Sequence, residues 1–586
     1  MELTERDRAM LAGEMGEATQ MAMRILVTMA GVYGAERLLD IESAHIDGCL
    51  YHGYSGLEFA ERLVAGGAQV AVPTTLNVGA MDLINPEIFR GDAQTGQWAT
   101  NLMQAYEAMG CKPTFTCAPY QAQHRPSLGT QIAWAESNAI VFANSVLGAR
   151  TNRYGDFIDI CCAITGRAPD VGLHRPENRA GQILFRLQGI PERLLREDVL
   201  FPVLGYWLGA HTGTKIPVID GLLPETTEDQ LKIMGAAAAS SGGVALFHAV
   251  GVTPEAPTLE AAFRGRDPEI VVEVTLDDLK GTLGILSTAA DGPIDVVALG
   301  SPHFSMTEFG QLLPLVERFP PRSGIEFIVC TDRLAQVTLH RRGWLERLRA
   351  AGVQIVADTC ILGTPIVRAQ DGVLMTNSGK YAHYTPGGIG LQVVYGSLEE
   401  CVRSAAAGEV WRDASLWAGG QGRKGAGGSA QYSVSRYSAG QSQIGGQSSA
   451  SVGRALVDGE ASGPALVLDA PLSLWGGLDP VTGNIIDQRH PQWGTNVTGR
   501  MLLMPVGRGS SSASSILLEA TRLGTAPAAI LLAEPDAILA LGAAVARELY
   551  GSAPPVMVID NGSYRRIEDG VMVRVTHGDI QLGNHQ

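Results

Sequence analysis

The sequence has no stretch that would carry it across a membrane or onto nucleic acid. The longest apolar windows are interrupted, Ala236–Val252 by Ser-Ser-Gly-Gly and Ala526–Ala546 by Glu534-Pro-Asp, so neither predicts a span. The first residues, Met1-Glu-Leu-Thr-Glu-Arg-Asp-Arg, are charged and contain no apolar core of a signal peptide. Basic clusters are absent and the net charge is −16, which excludes nucleic acid as an expected partner. Cysteine is sparse: eight residues at 49, 111, 117, 161, 162, 330, 360 and 401, without Cys-x-x-Cys spacing. That pattern predicts reduced thiols in a cytoplasmic chain, serving as core residues or as ligands. No internal repeat is found.

Hydrophobic content of 45% and charge of 18% describe a globular chain, and 586 residues suffice for three or four domains. Glycine is abundant, at 71 residues, as in large α/β proteins with many tight turns. Strand–loop–helix units recur and predict a largely parallel, buried sheet. A helical pattern opens at Thr4 and runs to about Leu39 with a break near Gly31. Strands are expected at Ile41–Ile46, Gln69–Val72, Lys112–Thr116, Ile294–Leu299, Ile325–Cys330 and Gln354–Ala357. Thr376-Asn-Ser-Gly-Lys380 reads as a loop. Around residue 420 the composition turns to Gly, Ser, Gln and Ala. This divides the chain into a body, 1–418, a flexible linker, 419–453, and a small strand-rich domain, 454–586.

The stretch Met504-Pro-Val-Gly-Arg508-Gly-Ser510-Ser-Ser-Ala-Ser-Ser-Ile-Leu-Leu-Glu519 is the most informative. An apolar strand stops on glycines and a helix opens, presenting free N–H groups and a positive dipole end. The serines read either as a plain helix cap or as an anion pocket with Ser510 poised near Arg508. Cys117 and Cys360 each follow an expected strand, where sites of open α/β sheets collect. Cys161 or Cys162 is the candidate third thiolate; three thiolates without a local motif suit an iron–sulfur centre or a soft metal. Cys111, Cys330 and Cys401 read as core. Asn77, Glu136, Ser137, Arg150, Asn152, Arg153, Ser301, His303 and Lys380 gather in the same strand-end loops, although each alone has an ordinary structural reading.

Taken together, Ser43-Ala-His-Ile-Asp-Gly48-Cys49, Thr-Thr-Leu-Asn77, Thr-Cys117-Ala-Pro-Tyr, Trp-Ala-Glu136-Ser137, Phe-Ala-Asn-Ser, Leu-Gly-Ala-Arg-Thr-Asn-Arg153, Asp-Thr-Cys360, Thr-Asn-Ser-Gly-Lys380 and Gly-Arg-Gly-Ser510 resemble the aconitase X family. The resemblance covers residues 1 to about 415 and 455–580. It implies an aconitase-like, multi-lobed α/β body joined to a C-terminal swivelling β/α domain, two halves that are separate subunits in archaeal relatives. It also implies a hydro-lyase that dehydrates cis-3-hydroxy-L-proline to Δ1-pyrroline-2-carboxylate. The alternatives are a dehydratase of another hydroxy acid, such as mevalonate 5-phosphate, and a non-catalytic iron–sulfur protein.

By the same resemblance, Ser510 is the base, with Arg508 beside it. Gly48, Cys49, Leu50, Asn77, Glu136, Ser137 and Lys380 hold the substrate. Cys117 and Cys360, with Cys161 or Cys162, hold an iron–sulfur cluster, 2Fe–2S favoured over 4Fe–4S. The archaeal pattern has Gly-Cys where this sequence has Gly300-Ser301, which is why a third thiolate is sought elsewhere. The expected partner is a small hydroxyproline-like amino acid, with no nucleic acid and no membrane; self-association is left open.

Overall fold

A computed structural model describes residues 1–121, 124–419, 451–507 and 509–582. The expected linker, 419–453, falls mostly outside the described residues, and so does Arg508.

Three parallel sheets and one short antiparallel pair, Leu38–Asp40 with Arg167–Pro169, build the body. In the first lobe, strands Ala44–Ile46, Thr74–Leu76 and Ala133–Trp134 run parallel with the first in the middle, Ala44 opposite both Thr74 and Ala133. The second lobe holds four parallel strands, in the order His248–Ala249, Pro217–Asp220, Ile183–Gln188, Ile270–Thr275. The third holds five parallel strands, in the order Val353–Val356, Glu326–Cys330, Val296–Leu299, Val373–Thr376, Gln392–Tyr395. The strands of the first and third lobes are almost wholly buried and mostly apolar, as parallel sheets covered on both faces are, whereas the edge strand Ile270–Thr275 of the second lobe is largely exposed.

The C-terminal domain is one eight-stranded sheet. Its centre is parallel, through Glu460–Val467, Met501–Met504, Ala529–Leu532 and Val556–Val558, and its margins are antiparallel. Helices Ala513–Leu523 and Ala537–Tyr550 pack together on it. The same helices dock on the first lobe, against helices Tyr54–Ala65 and Glu17–Tyr33. Arg24 pairs with Glu548 at 2.5 Å, Tyr550 donates to Glu58 at 2.9 Å, and the Ser55 N–H donates to Glu519 at 2.9 Å.

Several sequence expectations shift. The first helical pattern breaks at Gly13–Gly16 and not near Gly31: the helices are Glu5–Ala12 and Glu17–Tyr33. Thr4 and Asp7 form a capping box there. Residues 69–72 are not a strand. Their N–H groups reach Met109 and Ala163 singly, whereas 74–76 pair in register with 44–46. Residues 112–116 form no strand but run along Thr74–Leu76, through a Thr75–Lys112 bridge, the Thr116 N–H to the Leu76 carbonyl and the Thr114 hydroxyl on Leu76. Lys380 lies in the first turn of helix Gly379–Gly388, capped by Ser378, and not in a loop.

Candidate active site

The carboxyl ends of parallel strands from two sheets, those of the first and third lobes, converge on one small cavity. Strand Ala44–Ile46 ends in Asp47 and Leu50, and Thr74–Leu76 in Asn77 and Val78. Ala133–Trp134 ends in Glu136, Val296–Leu299 in Ser301, and Val353–Val356 in Cys360 and Leu362. Cys117 enters from the extended segment, Lys380 from its helix, and Ser510, Ser512 and Trp475 from the C-terminal domain. The cavity measures about 30 Å³.

Neutral His303 ties the two thiol loops together. Its Nδ1 lies 3.0 Å from the Thr116 hydroxyl and its Nε2 3.3 Å from the Thr359 carbonyl, so Nε2 carries the proton and Nδ1 accepts. Burial lowers its pKa to about 4. Its backbone N–H donates to Cys117 Sγ at 3.2 Å. Burial pushes both thiols up, while an N–H aimed at sulfur favours the thiolate.

Glu136 and Lys380 face these thiols as an ion pair. The Glu136 carboxylate also caps helix Ser137–Phe142 through the Ala139 N–H, at 2.8 Å. Its backbone sits at φ 71°, a costly conformation for a non-glycine residue and one found at functional sites. Burial raises the Glu136 pKa against the pull of Lys380. Burial opposes the Lys380 charge too, but Glu136 and Cys117 outweigh it and the ammonium is held.

Ser510 is buried and does not cap the following helix; the N-cap position is Ser512, whose side chain makes no cap bond. Ser510 Oγ instead accepts the Ser512 N–H at 3.3 Å. The Arg153 guanidinium holds the turn by donating to the Gly509 carbonyl.

Other expected site residues lie off the cavity wall. The Cys49 thiol turns inward and donates to the Asn77 carbonyl at 3.1 Å. The Gly48 N–H donates to Asp159 at 3.4 Å, and a Cβ there would sit 2.8 Å from the Tyr106 hydroxyl. Ser137 is buried one residue behind Glu136. Cys161 and Cys162 are corrected most clearly. They lie in helix Ile158–Thr165, wholly buried in the first-lobe core with Met21, Leu26 and Met29, and the structure does not bring them to Cys117 and Cys360. Ser301, at the position where a cysteine was missed, shares the cavity with those two thiols.

Two soft thiols, Cys117 and Cys360, share the cavity with the Ser301 hydroxyl, donor types that suit iron, and the His303 N–H points at Cys117 Sγ. They do not make a set of three thiolates, and among the described residues no three His, Cys, Asp or Glu side chains gather as a metal site. Sequence reasoning assigned no role to Asp47 or Trp475. Asp47 had a signal, an acid directly after an apolar strand end and within the Asp-Gly-Cys motif. Trp475 lies in a loop of the C-terminal domain and had none.

A larger cleft, of about 990 Å³, lies between the second and third lobes. Its cations already have partners: Arg125 with Glu228, Arg196 with Glu225, and Lys232 with Asp229 and Glu308. It has neither thiols nor the strand-end convergence of the smaller cavity.

Such a molecule is a multi-lobed α/β protein closed by a linked domain over a buried pocket of thiols, an ion pair and a serine turn. The chain belongs to the aconitase X family. Models of that family's first, second, third and swivel domains match residues 1–177, 181–284, 294–407 and 450–582. A cis-3-hydroxy-L-proline dehydratase of Pseudomonas aeruginosa is 45% identical over 405 residues, 69% of each chain. One from Hypocrea jecorina is 41% identical over 70% of this chain and 69% of its own. A phosphomevalonate dehydratase large subunit of Methanothermobacter thermautotrophicus is 36% identical over 68% of this chain and 98% of its own. The crystal structure of Thermococcus kodakaraensis aconitase X (holo-form) superposes with a TM-score of 0.61 at 33% identity, covering 69% of this chain and all of that one.

Proposed function

We propose that this chain is a hydro-lyase that dehydrates cis-3-hydroxy-L-proline to Δ1-pyrroline-2-carboxylate. The observation that carries the mechanism is the placing of Ser510, from the C-terminal domain, on the same cavity as Cys117, Cys360 and the Glu136–Lys380 pair. The choice of substrate is supported by the activity named for the bacterial and fungal relatives.

The Lys380 ammonium and the Asn77 amide bind the substrate carboxylate, and Glu136 takes the ring nitrogen. Ser510 Oγ faces the C2 proton. A serine hydroxyl is too weak an acid to ionise in water, so its turn must stabilise the anion. The Ser512 N–H donates to Oγ, and the helix Ala513–Leu523 points its positive end at the same turn. Cys117 and Cys360 would hold an iron–sulfur cluster, 2Fe–2S being favoured over 4Fe–4S, and it would supply a Lewis acid for the C3 hydroxyl. The C2 proton moves to Ser510, the C2–C3 double bond forms as hydroxide departs, and the enamine tautomerises to the imine. Trp475 and the closed domain exclude water during these steps.

Ser510→Ala is expected to abolish turnover while iron content and visible absorbance stay at the parent's level. Cys117→Ser and Cys360→Ser are expected to lose the absorbance. Near-normal turnover by Ser510→Ala removes serine from the base role. A screen of hydroxyproline isomers alongside mevalonate 5-phosphate tests the substrate.

A further inference from the structure

Directly beneath the serine turn, two carboxyl groups of the first lobe meet. Asp47 and Asp156 are buried, at 2% and 0% exposure. One serine segment brings them together: the Ser511 hydroxyl donates to Asp47 and the Ser515 hydroxyl, four residues further on, donates to Asp156. Among the described residues no Lys or Arg pairs with either. Two ionised carboxylates cannot face each other in a dry interior; one must take a proton.

The surrounding donors decide which. Asp47 accepts from two side chains: Asn77 Nδ2 donates to Oδ1 and Ser511 Oγ donates to Oδ2. Ser512 Oγ stands 3.5 Å from the same Oδ2. Asp156 accepts from Ser515 Oγ at Oδ2, at 2.5 Å, and among the described residues its buried Oδ1 has no donor. An orphaned buried oxygen is expensive for a charged acid, and ceases to be orphaned when it carries the proton and donates. The serines belong to the C-terminal domain and the acids to the body, so the pair sits in the seam between them.

We propose that Asp156 is a neutral acid that donates a hydrogen bond to an ionised Asp47, and that this pair is a positioning device. Asp47 holds Ser511 and Ser512, and thereby turns Ser510 toward the cavity. The inference rests on the reading of Ser510 as the base. The other titratable groups around the pair are Asp159, Cys49, Tyr106, His52 and Glu136. The Asp159 carboxylate takes the Asp47 backbone N–H at 2.7 Å, and the Tyr106 hydroxyl is buried without a partner. Burial, followed by Asp47 and Asp159, drives the Asp156 pKa well up from the ordinary Asp range. The folded chain therefore holds a proton that the unfolded chain releases. Stability from this group is present at low pH and falls as pH rises through the pKa of the folded chain.

The experiment compares Asp156→Asn, Asp156→Leu and Asp47→Asn in the iron-loaded full chain. An Asn amide at 156 donates N–H to Asp47 and accepts from Ser515, replacing the neutral acid. Asp156→Leu, which removes the donor, is expected to lower kcat about 100-fold with KM little changed, the cost of a misplaced base. Asp156→Asn is expected to recover most of that loss. Asp47→Asn, which presents an amide where two donors point, is expected to be as poor as Asp156→Leu. Two readouts need no substrate. The parent should show protonated-carboxyl infrared absorption at neutral pH that Asp156→Asn reduces by one carboxyl, and Asp156→Asn should melt with a flatter pH dependence. If Asp156→Asn is as inactive as Asp47→Asn, or leaves that absorption unreduced, the proposal is overturned. If the absorption behaves as expected while the parent leaves every hydroxyproline isomer unchanged, the proton assignment stands and the substrate reading fails.

Discussion

At Glu136 the chain places a carboxylate in a strained backbone turn, uses one oxygen to cap a helix and the other to meet Lys380. Such a pair holds its shape because neither partner has another place to put its charge. Lys380→Met leaves the Glu136 carboxyl buried and uncompensated, so its pKa moves further up and it takes a proton. The substrate then loses both its cation and its anionic partner. A fall in kcat/KM equivalent to roughly 2–5 kcal/mol is expected, read from steady-state kinetics. Lys380→Arg is not a conservative change here, because the planar fork does not fit a point-charge site.

Helices in this molecule are joined by buried polar ties, and these set how each lobe answers to mutation and pH. Helix Glu228–Ser241 is fastened to helix Met306–Arg318 by Lys232, which reaches Glu308 at 2.5 Å and Asp229 at 2.8 Å, almost fully buried. Burial moves the Glu308 pKa up to about 7, with Lys232 holding it back. Lys232→Met removes one partner from a buried set and should cost roughly 3–5 kcal/mol of stability, measured by denaturant unfolding. Histidines act in the opposite pH direction. Burial lowers His45 and His174 to about 3, and His52 and His303 to about 4. Each must take a proton on unfolding. Stability is full above about 6.5, where the unfolded histidine is neutral, and is lost as pH falls toward 4. The melting temperature should therefore drop on acidification below that point. His303→Asn should soften the drop and loosen the Cys117 and Cys360 loops together.

With the C-terminal domain docked, the cavity of about 30 Å³ has room for one or two waters and not for a hydroxyproline ring. Substrate entry thus requires that domain to move away and return, which is how a swivelling domain gates a reaction. The seam is held by Arg24–Glu548, by Glu519 on the Ser55 N–H and by the Asp47 and Asp156 contacts. Gly53 belongs to the same seam: a Cβ there would overlap the Glu519 carboxyl. Gly53→Ala is expected to weaken docking, raise KM and increase proteolytic cutting between the domains. Cysteines introduced at half-buried seam positions, Arg24→Cys with Glu548→Cys, and joined by a reducible cross-linker, should stop turnover until the link is cut. Full activity in the linked protein would show that substrate enters without the domain moving. Among the described residues no helix is long and apolar enough to cross a membrane.

Much of this was legible in the residues. Apolar runs broken by glycine and polar turns gave away the strand–loop–helix rhythm, and the polar turns after strands held Asn77, Glu136 and Cys360, which line one cavity. Those features are local, written in periodicity and turn chemistry. The third position beside Cys117 and Cys360 was not legible. Adjacent cysteines at 161 and 162 look like ligands in a sequence, but both lie inside a helix buried in the first-lobe core with Met21 and Met29, while Ser301 arrives from a different lobe. Nor could spacing assign Asp47 and Asp156, because their serine partners lie more than three hundred residues along the chain. Sequence by itself determined which residue types stand at strand ends, since that follows from local backbone physics. Only the tertiary structure decided which ends share a cavity and which acid keeps its charge, because both depend on how separate lobes exclude water from one another.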